Sequence, residues 1–98
     1  MRALTRRFFD EVSGLNGRVV GVRALPRNGL GVRVLFPNGY GADIASSELT
    51  IGGERGLYEL AVIDRFEEVV EGTAITPDYI GNLQEEDIAP ILVKIAEL

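Results

Sequence analysis

The chain has 98 residues, of which 46% are hydrophobic and 26% are charged, and its formal net charge at pH 7 is −5. This composition is typical of a folded globular protein, and the length suits one domain, which we expect to span residues 1–98. There is no Cys and no His, which excludes disulfides, thiolate metal sites and every catalytic triad that needs either residue.

The first predicted element is a short amphipathic helix over residues 3–13. Leu4, Phe8, Val12 and Leu15 recur at helical spacing, and Gly14 is a natural C-terminal stop. No apolar run behind this segment is long enough for a signal peptide, and none in the chain approaches the ~20 residues that cross a bilayer. We therefore expect a cytoplasmic protein with no membrane partner.

An internal repeat follows the helix. The segment GVRALPRNGLGV (21–32) aligns with GVRVLFPNGYGA (31–42) at a shift of ten residues, and Gly21, Gly31 and Gly41 occupy related positions. A period this short does not fit a solenoid unit, but it fits a strand followed by a tight turn. The repeat therefore predicts an antiparallel β-meander, and Gly41 suggests a close approach by another backbone.

The second copy of the repeat carries the clearer turn. Pro37 and Asn38 suit the central positions of a type I turn, and Gly39 supplies the left-handed residue of a three-residue loop. The strand pairs that this loop predicts are Phe36 with Tyr40, Val34 with Ala42, and Arg33 with Asp43.

The first copy predicts an equivalent loop at Arg27-Asn28-Gly29. The pairs expected from it are Ala24 with Val32, Val22 with Val34, and Val20 with Phe36. Together the two registers place one apolar set on a single face, which we expect to be buried: Val20, Val22, Ala24, Val32, Val34, Phe36, Tyr40, Ala42 and Ile44. The opposite face is mixed and carries Arg18 or its neighbours, Arg23, Arg33, Asp43, Leu25 and Leu35.

The rest of the sheet is predicted from composition. Residues 46–56 are rich in Ser and Gly and indicate a loop, and residues 57–66 are apolar on both faces, as in a central strand. Residues 67–75 are more acidic, and we expect them to form its hairpin partner near an edge.

The C-terminal part predicts a short turn and then a helix. Thr76, Pro77 and Gly81 fit a single helical turn, and Pro90 limits the final helix to a start near Glu86 or Asp87. Its apolar stripe is Ile88, Ile91, Leu92, Ile95 and Leu98. The predicted fold is α+β, with an N-terminal helix, an antiparallel β-meander sheet of about five strands, and a C-terminal helix packed on the sheet. Leu60, Val62, Ile91, Leu92 and Ile95 are expected in the core.

No segment predicts catalysis. The stretch IGGERG has glycines but lacks the strand-to-helix context and the Gly-Lys-Ser/Thr of a phosphate loop. Paired carboxylates such as Asp64 and Glu67 lie near a predicted hairpin tip, whereas acid–base chemistry needs carboxyls that face each other in a cleft. We expect no enzyme activity, no cofactor and no metal.

The charges are unevenly distributed along the sequence. Residues 1–33 contain seven Arg against two acids, a charge of +5, and residues 34–98 contain three cations against thirteen acids, a charge of −10. An acidic surface could engage a basic partner, and its candidate residues are Asp64, Glu67, Glu68, Glu71, Asp78, Glu85 and Glu86. A basic patch is the alternative, with Arg6, Arg7, Arg18, Arg23 and Arg33. Equally, the two halves could fold together and neutralise each other.

The segments FPNGYGADI, GLYELAVID and TAITPDYIGNLQEEDIAPILVKIAEL, in this order, resemble a group of small uncharacterised proteins encoded by phages, prophages and mobile elements. The resemblance covers about residues 36–98 and brings no catalytic residue with it. It implies a phage-like gene context, in which small acidic proteins commonly inhibit a host defence complex, as anti-CRISPR and anti-restriction factors do, or have a minor accessory role.

Three functions are therefore expected, in order of preference. The first is a non-enzymatic protein that binds a protein partner, such as a host nucleoprotein complex. The second is a regulatory protein that binds nucleic acid through the N-terminal Arg residues, although a pI of about 4.6 and a single Lys argue against it. The third is a minor structural or accessory phage protein, for which a homodimer is a natural state.

Overall fold

Two helices and five strands make up the fold in the computed structural model, which describes residues 4–50, 52–73, 75 and 79–98. The elements are α1 (Arg6–Gly14), β1 (Arg18–Leu25), β2 (Gly29–Leu35), β3 (Tyr40–Ser46), β4 (Tyr58–Asp64), β5 (Tyr79–Leu83) and α2 (Glu85–Ala96), with a 3₁₀ turn at Gly53–Arg55. The strands form one antiparallel sheet in sequence order. The predicted α+β arrangement, with the C-terminal helix packed on the sheet, is confirmed.

Alternate residues of the central strands face both helices and form the core. The strand residues are Val32, Val34, Ala42, Ile44, Leu60 and Val62, and the helices contribute Phe8, Val12, Ile88, Leu92 and Ile95, all of them buried. Full burial of each large aliphatic side chain stabilises the fold by about 1.5–3 kcal/mol. Of the predicted core residues, Tyr40 and Ile91 are only partly buried at its margin.

The turn between β2 and β3 has the predicted form. The backbone N–H of Gly39 donates to the Phe36 carbonyl at 3.1 Å, and that of Phe36 donates to the Tyr40 carbonyl at 2.8 Å. Gly39 has a φ of 87°, the left-handed conformation expected from the sequence. Val34 pairs with Ala42 and Arg33 with Asp43, so this predicted register is confirmed.

The predicted register between β1 and β2 is wrong by two residues. Leu25 pairs with Gly29, so the loop contains Pro26, Arg27 and Asn28. Arg27 and Asn28 take the left-handed conformation, with φ of 60° and 58°. Gly29 is needed for space instead, because a Cβ there would lie 2.3 Å from the Cβ of Ser47. A β-bulge between Val19 and Gly21 shifts the remaining pairs.

The predicted burial of β1 is also wrong. Val22 pairs with Val32, and the two side chains share the face that carries the helices. However, Val22 is 62% exposed whereas Val32 is 1% exposed, and Ala24 is exposed as well. β1 is the edge strand, and the helices leave this part of the face uncovered.

The strand that follows β4 differs from the prediction. Leu60, Ala61, Val62 and Ile63 are fully buried, as expected for a central strand. Its neighbour over Tyr58–Ala61, however, is β5. The described part of residues 67–75 lies beside the end of β4, with an isolated bridge from Val69 to Ile63 and a bond from the Val70 N–H to the Val62 carbonyl at 2.8 Å, but forms no regular strand. The helical turn predicted near Tyr79 is therefore wrong, because pairing with β4 overrides the local capping pattern. Thr76, Pro77 and Asp78 lie outside the described residues.

Both helices start close to the predicted positions. α1 begins at Arg6 after Thr5, and α2 begins at Glu85, one residue before the predicted start, with Pro90 inside it. The Asp87 carboxylate accepts from the backbone N–H of Gln84 at 2.9 Å, which fixes this earlier start. In the described part of the chain, neither helix has the length and apolar character needed to cross a membrane.

Candidate functional site

An ion network covers the face of the sheet opposite the helices, which we call the open face. The Arg23 guanidinium Nη2 lies 3.0 Å from an Asp43 carboxylate oxygen, and Arg33 Nε lies 3.1 Å from the same oxygen. Arg33 Nη1 lies 3.6 Å from the Glu67 carboxylate oxygen Oε1. The Asp43 side chain is only 13% exposed, so its charge is balanced mainly by the two arginines.

Two glycines of the repeat make room for this layer. A Cβ on Gly31 would lie 3.0 Å from Arg23 Nε, because the Arg23 side chain crosses β2 at that point on its way to Asp43. A Cβ on Gly41 would lie 2.0 Å from the Val34 carbonyl oxygen and 2.8 Å from Leu35. The expected close backbone approach at Gly41 is therefore confirmed, and the repeat serves the packing of the open face.

The five residues of the predicted basic patch do not form one surface. Arg6 and Arg7 project from α1 and pair with Asp10 and Glu11 at 3.7 and 3.3 Å. Arg23 and Arg33 lie on the open face, on the other side of the sheet. Arg18, at the start of β1, is the one member with no ion pair among the described residues.

The predicted acidic residues are divided between the two ends of the sheet. Asp64 ends β4 and Glu67, Glu68 and Glu71 follow it, whereas Glu85 and Glu86 start α2 beside the beginning of β4. Tyr58 and Asp64 are the two ends of the seven-residue strand β4 and lie roughly 20 Å apart along it. Asp78 lies outside the described residues.

Several of these acids have structural contacts. The Asp64 carboxylate accepts from the N–H groups of Phe66 and Glu68, at 2.8 and 3.1 Å. The Glu85 carboxylate accepts from the backbone N–H and the hydroxyl of Thr5, both at 2.6 Å, and so joins the starts of the two helices. Glu67 pairs with Arg33, which leaves Glu68, Glu71 and Glu86 as the acids of this set free for a partner within the described part of the chain.

The outer edge of β1 carries two exposed apolar side chains. Val22 is 62% exposed and Val19 is 41% exposed, on the helix side of an eight-residue edge strand. Among the described strands β1 pairs only with β2, so its other edge carries backbone N–H and C=O groups with none of these strands beside them. Sequence reasoning placed Val22 in the core and so missed this surface.

A cleft lies at the end of the sheet that carries the β2–β3 turn. Arg18, Arg65, Asn16 and Asn38 line it together with Pro37 and the neighbouring backbone, and its volume is about 470 Å³. We call it the turn cleft. Next to it, Phe66 is 75% exposed, and its ring centroid lies 5.7 Å from the Arg65 guanidinium carbon. Sequence reasoning missed this feature, and the signal that could have indicated it is the Arg65-Phe66 pair at the predicted hairpin tip.

A comparison of the chain with protein-family models, with curated proteins and with solved structures finds no match.

Proposed function

We propose that this protein is a non-enzymatic module that binds another protein along the free edge of β1. The observation that carries the proposal is the exposure of Val22. Its pairing partner Val32 is 1% exposed, whereas Val22 is 62% exposed on the same face. Val22 and Val19 lie together on an unpaired strand edge, and an exposed edge with apolar side chains is a template on which another chain can pair.

Strand addition suits this edge. A partner strand that pairs with β1 would satisfy the outward backbone groups and would cover the side chains of Val19 and Val22. The residues that protect edges in other sheets are charged side chains that project outward. Arg23 does not act in this way, because its guanidinium is held over the open face by Asp43.

A nucleic-acid partner is the less favoured alternative. Binding to phosphates needs several unpaired cations on one surface. Arg6 and Arg7 lie on the opposite side of the sheet from Arg23 and Arg33, and all four pair with carboxylates. The pairs of Arg23 and Arg33 with Asp43 join residues 1–33 to residues 34–98, so they support the alternative that the basic and acidic parts of the chain neutralise each other.

The class of partner that we propose is a host complex that acts against mobile elements. This step is supported by the resemblance of residues 36–98 to phage and prophage proteins, in which inhibition of host defence is a common role. A non-enzymatic inhibitor is consistent with a chain that has no His and no Cys.

The test is affinity capture from a host lysate with three forms of the protein: wild type, Val22→Lys and Leu49→Lys. A lysine at position 22 places a charge on the helix side of the edge and opposes strand addition. Leu49 is a matched control because it is 68% exposed and lies in the loop after β3. Both substitutions are at exposed sites, so we expect stabilities within about 0.5 kcal/mol of wild type.

We expect the wild type and Leu49→Lys to retain the same partner and Val22→Lys to lose at least about 90% of it, as a loss of about 1.4 kcal/mol in binding would produce. Equal capture by Val22→Lys would contradict binding at β1. Capture of nucleic acid alone, or a stable homodimer with no other partner, would contradict the proposed class of partner.

A further inference from the structure

The turn cleft contains two arginines that form no ion pair with a described residue. Arg6, Arg7, Arg23, Arg27 and Arg33 each pair with a carboxylate. Among the described cations, only Arg18, Arg65 and Lys94 have neither an ion pair nor a hydrogen bond to a protein group. Two of these three line the same cleft, and none of the carboxylates that the structure describes lines it with them.

Rigid elements hold both sides of the cleft. The Asn38 amide donates to the Ile95 carbonyl at 2.8 Å, and its side-chain oxygen accepts from the Tyr40 N–H at 3.0 Å, which ties the β2–β3 turn to the end of α2. On the other side, Asp64 holds the turn that carries Arg65 through its bond to the Phe66 N–H. A cleft whose walls are held in this way loses little conformational entropy when it binds a ligand.

We propose that the turn cleft binds a carboxylate that is joined to an apolar group, as at the C-terminus of a peptide that ends in an apolar residue. Two guanidinium groups present planar pairs of donors that match the two oxygens of a carboxylate. Leu35, Phe36 and Pro37 belong to the same cleft and give it an apolar part. The volume of about 470 Å³ lies in the range of small-molecule sites, roughly 300–1,000 Å³.

The inference does not depend on strand addition at β1. The cleft and the apolar edge share one element, since Arg18 starts β1, but the argument for the cleft uses neither Val19 nor Val22. A Val22→Lys protein is therefore expected to bind the carboxylate probe as the wild type does, and the two proposals can fail separately.

The experiment is a titration of the ¹⁵N-labelled full chain with N-acetyl-leucine at low salt, followed by NMR. We expect saturable shifts of the Arg18 and Arg65 side-chain Nε–Hε signals and of the Gly39 amide. N-acetyl-leucinamide, which has the same apolar group and no charge, is expected to cause none of them. N-acetyl-glutamic acid 1-amide tests whether a side-chain carboxylate binds as well, and we expect it to bind more weakly because its apolar part is missing.

Arg18→Gln and Arg65→Gln are each expected to weaken binding of N-acetyl-leucine roughly ten-fold, the effect of one lost charge-assisted hydrogen bond. Arg27→Gln is the matched control, because the Arg27 side chain is 67% exposed and pairs with Glu48 outside the cleft. The affinity of this variant for N-acetyl-leucine is expected to equal that of the wild type. Dispersed spectra of all variants establish that they are folded.

Three results would overturn the inference. They are equal shifts with the acid and the amide, no saturable shift in the folded wild type, and tighter binding of inorganic phosphate than of N-acetyl-leucine. The last would assign the two arginines to a phosphate group.

Discussion

Arg23 on β1 reaches Asp43 on β3, two strands away, at 3.0 Å. The side chain passes over Gly31 of the intervening strand, where a Cβ would lie 3.0 Å from its Nε. Arg33 joins the same carboxylate at 3.1 Å. This contact couples the edge strand to the centre of the sheet, and it keeps the Arg23 charge away from the free edge of β1 that we propose as the binding surface.

Replacement of Asp43 by Asn is expected to lower the free energy of unfolding by about 1–2 kcal/mol, because charge-assisted bonds from Arg23 and Arg33 are both weakened. Urea denaturation measures the change, and high salt should reduce it. Glu48→Gln is the control, since the Glu48–Arg27 pair is 3.7 Å long and more than half exposed at both ends. It is expected to change stability by less than about 0.5 kcal/mol. Similar losses of unfolding free energy in Asp43→Asn and Glu48→Gln would show that the Asp43 network stabilises the protein no more than an exposed ion pair does.

The glycines of the repeat provide a second test. Gly41→Ala places a Cβ against the Val34 carbonyl oxygen, which lies on the backbone and cannot move aside as a side chain can. We expect a loss of about 1–3 kcal/mol in the free energy of unfolding.

Gly21→Ala is the matched control for this position, because nothing lies within 4 Å of its added Cβ. Alanine at position 21 is expected to be neutral or to stabilise the strand by up to about 1 kcal/mol, since glycine is entropically costly there. Thermal and urea unfolding of the two variants would contradict this account if Gly41→Ala proved as stable as Gly21→Ala.

The link between the two helices gives a third prediction. Glu85→Gln is expected to destabilise the protein by about 1 kcal/mol more than Glu86→Gln, because only Glu85 accepts bonds from Thr5. Both substitutions remove a negative charge from the first turn of α2, so the effect on the helix dipole is shared and cancels in the comparison. Chemical denaturation measures the free energy of unfolding of the two variants. Equal losses in Glu85→Gln and Glu86→Gln would mean that the Thr5 contact contributes no net stability.

The features that were predictable from sequence are those fixed by local chemistry. Pro37, Asn38 and Gly39 each suit one position of the β2–β3 turn, and that turn alone determines that Arg33 faces Asp43. The β1–β2 loop was misplaced because Gly29 is required for close packing against Ser47 and not for a left-handed turn. A glycine required for close packing and a glycine required for a left-handed turn cannot be distinguished in a sequence.

The features that were not predictable depend on contacts between distant segments. The capping residues near Tyr79 predicted a helical turn, yet pairing with β4 makes that segment a strand. The exposure of Val22 depends on how far the helices extend over the sheet, which no local pattern records. The turn cleft likewise forms from three separate segments, so Arg18 and Arg65 could not be placed together from their positions in the chain.

The central claim, that a partner protein binds at β1, is tested most directly by hydrogen–deuterium exchange of the captured complex. Amides on the outer edge of β1 have no partner among the strands that the structure describes and are expected to exchange quickly in the free protein. In the complex we expect strong protection of residues 18–25, with no comparable change in α1 or on the open face. Unchanged exchange in β1, with protection elsewhere on the surface, would contradict the proposal.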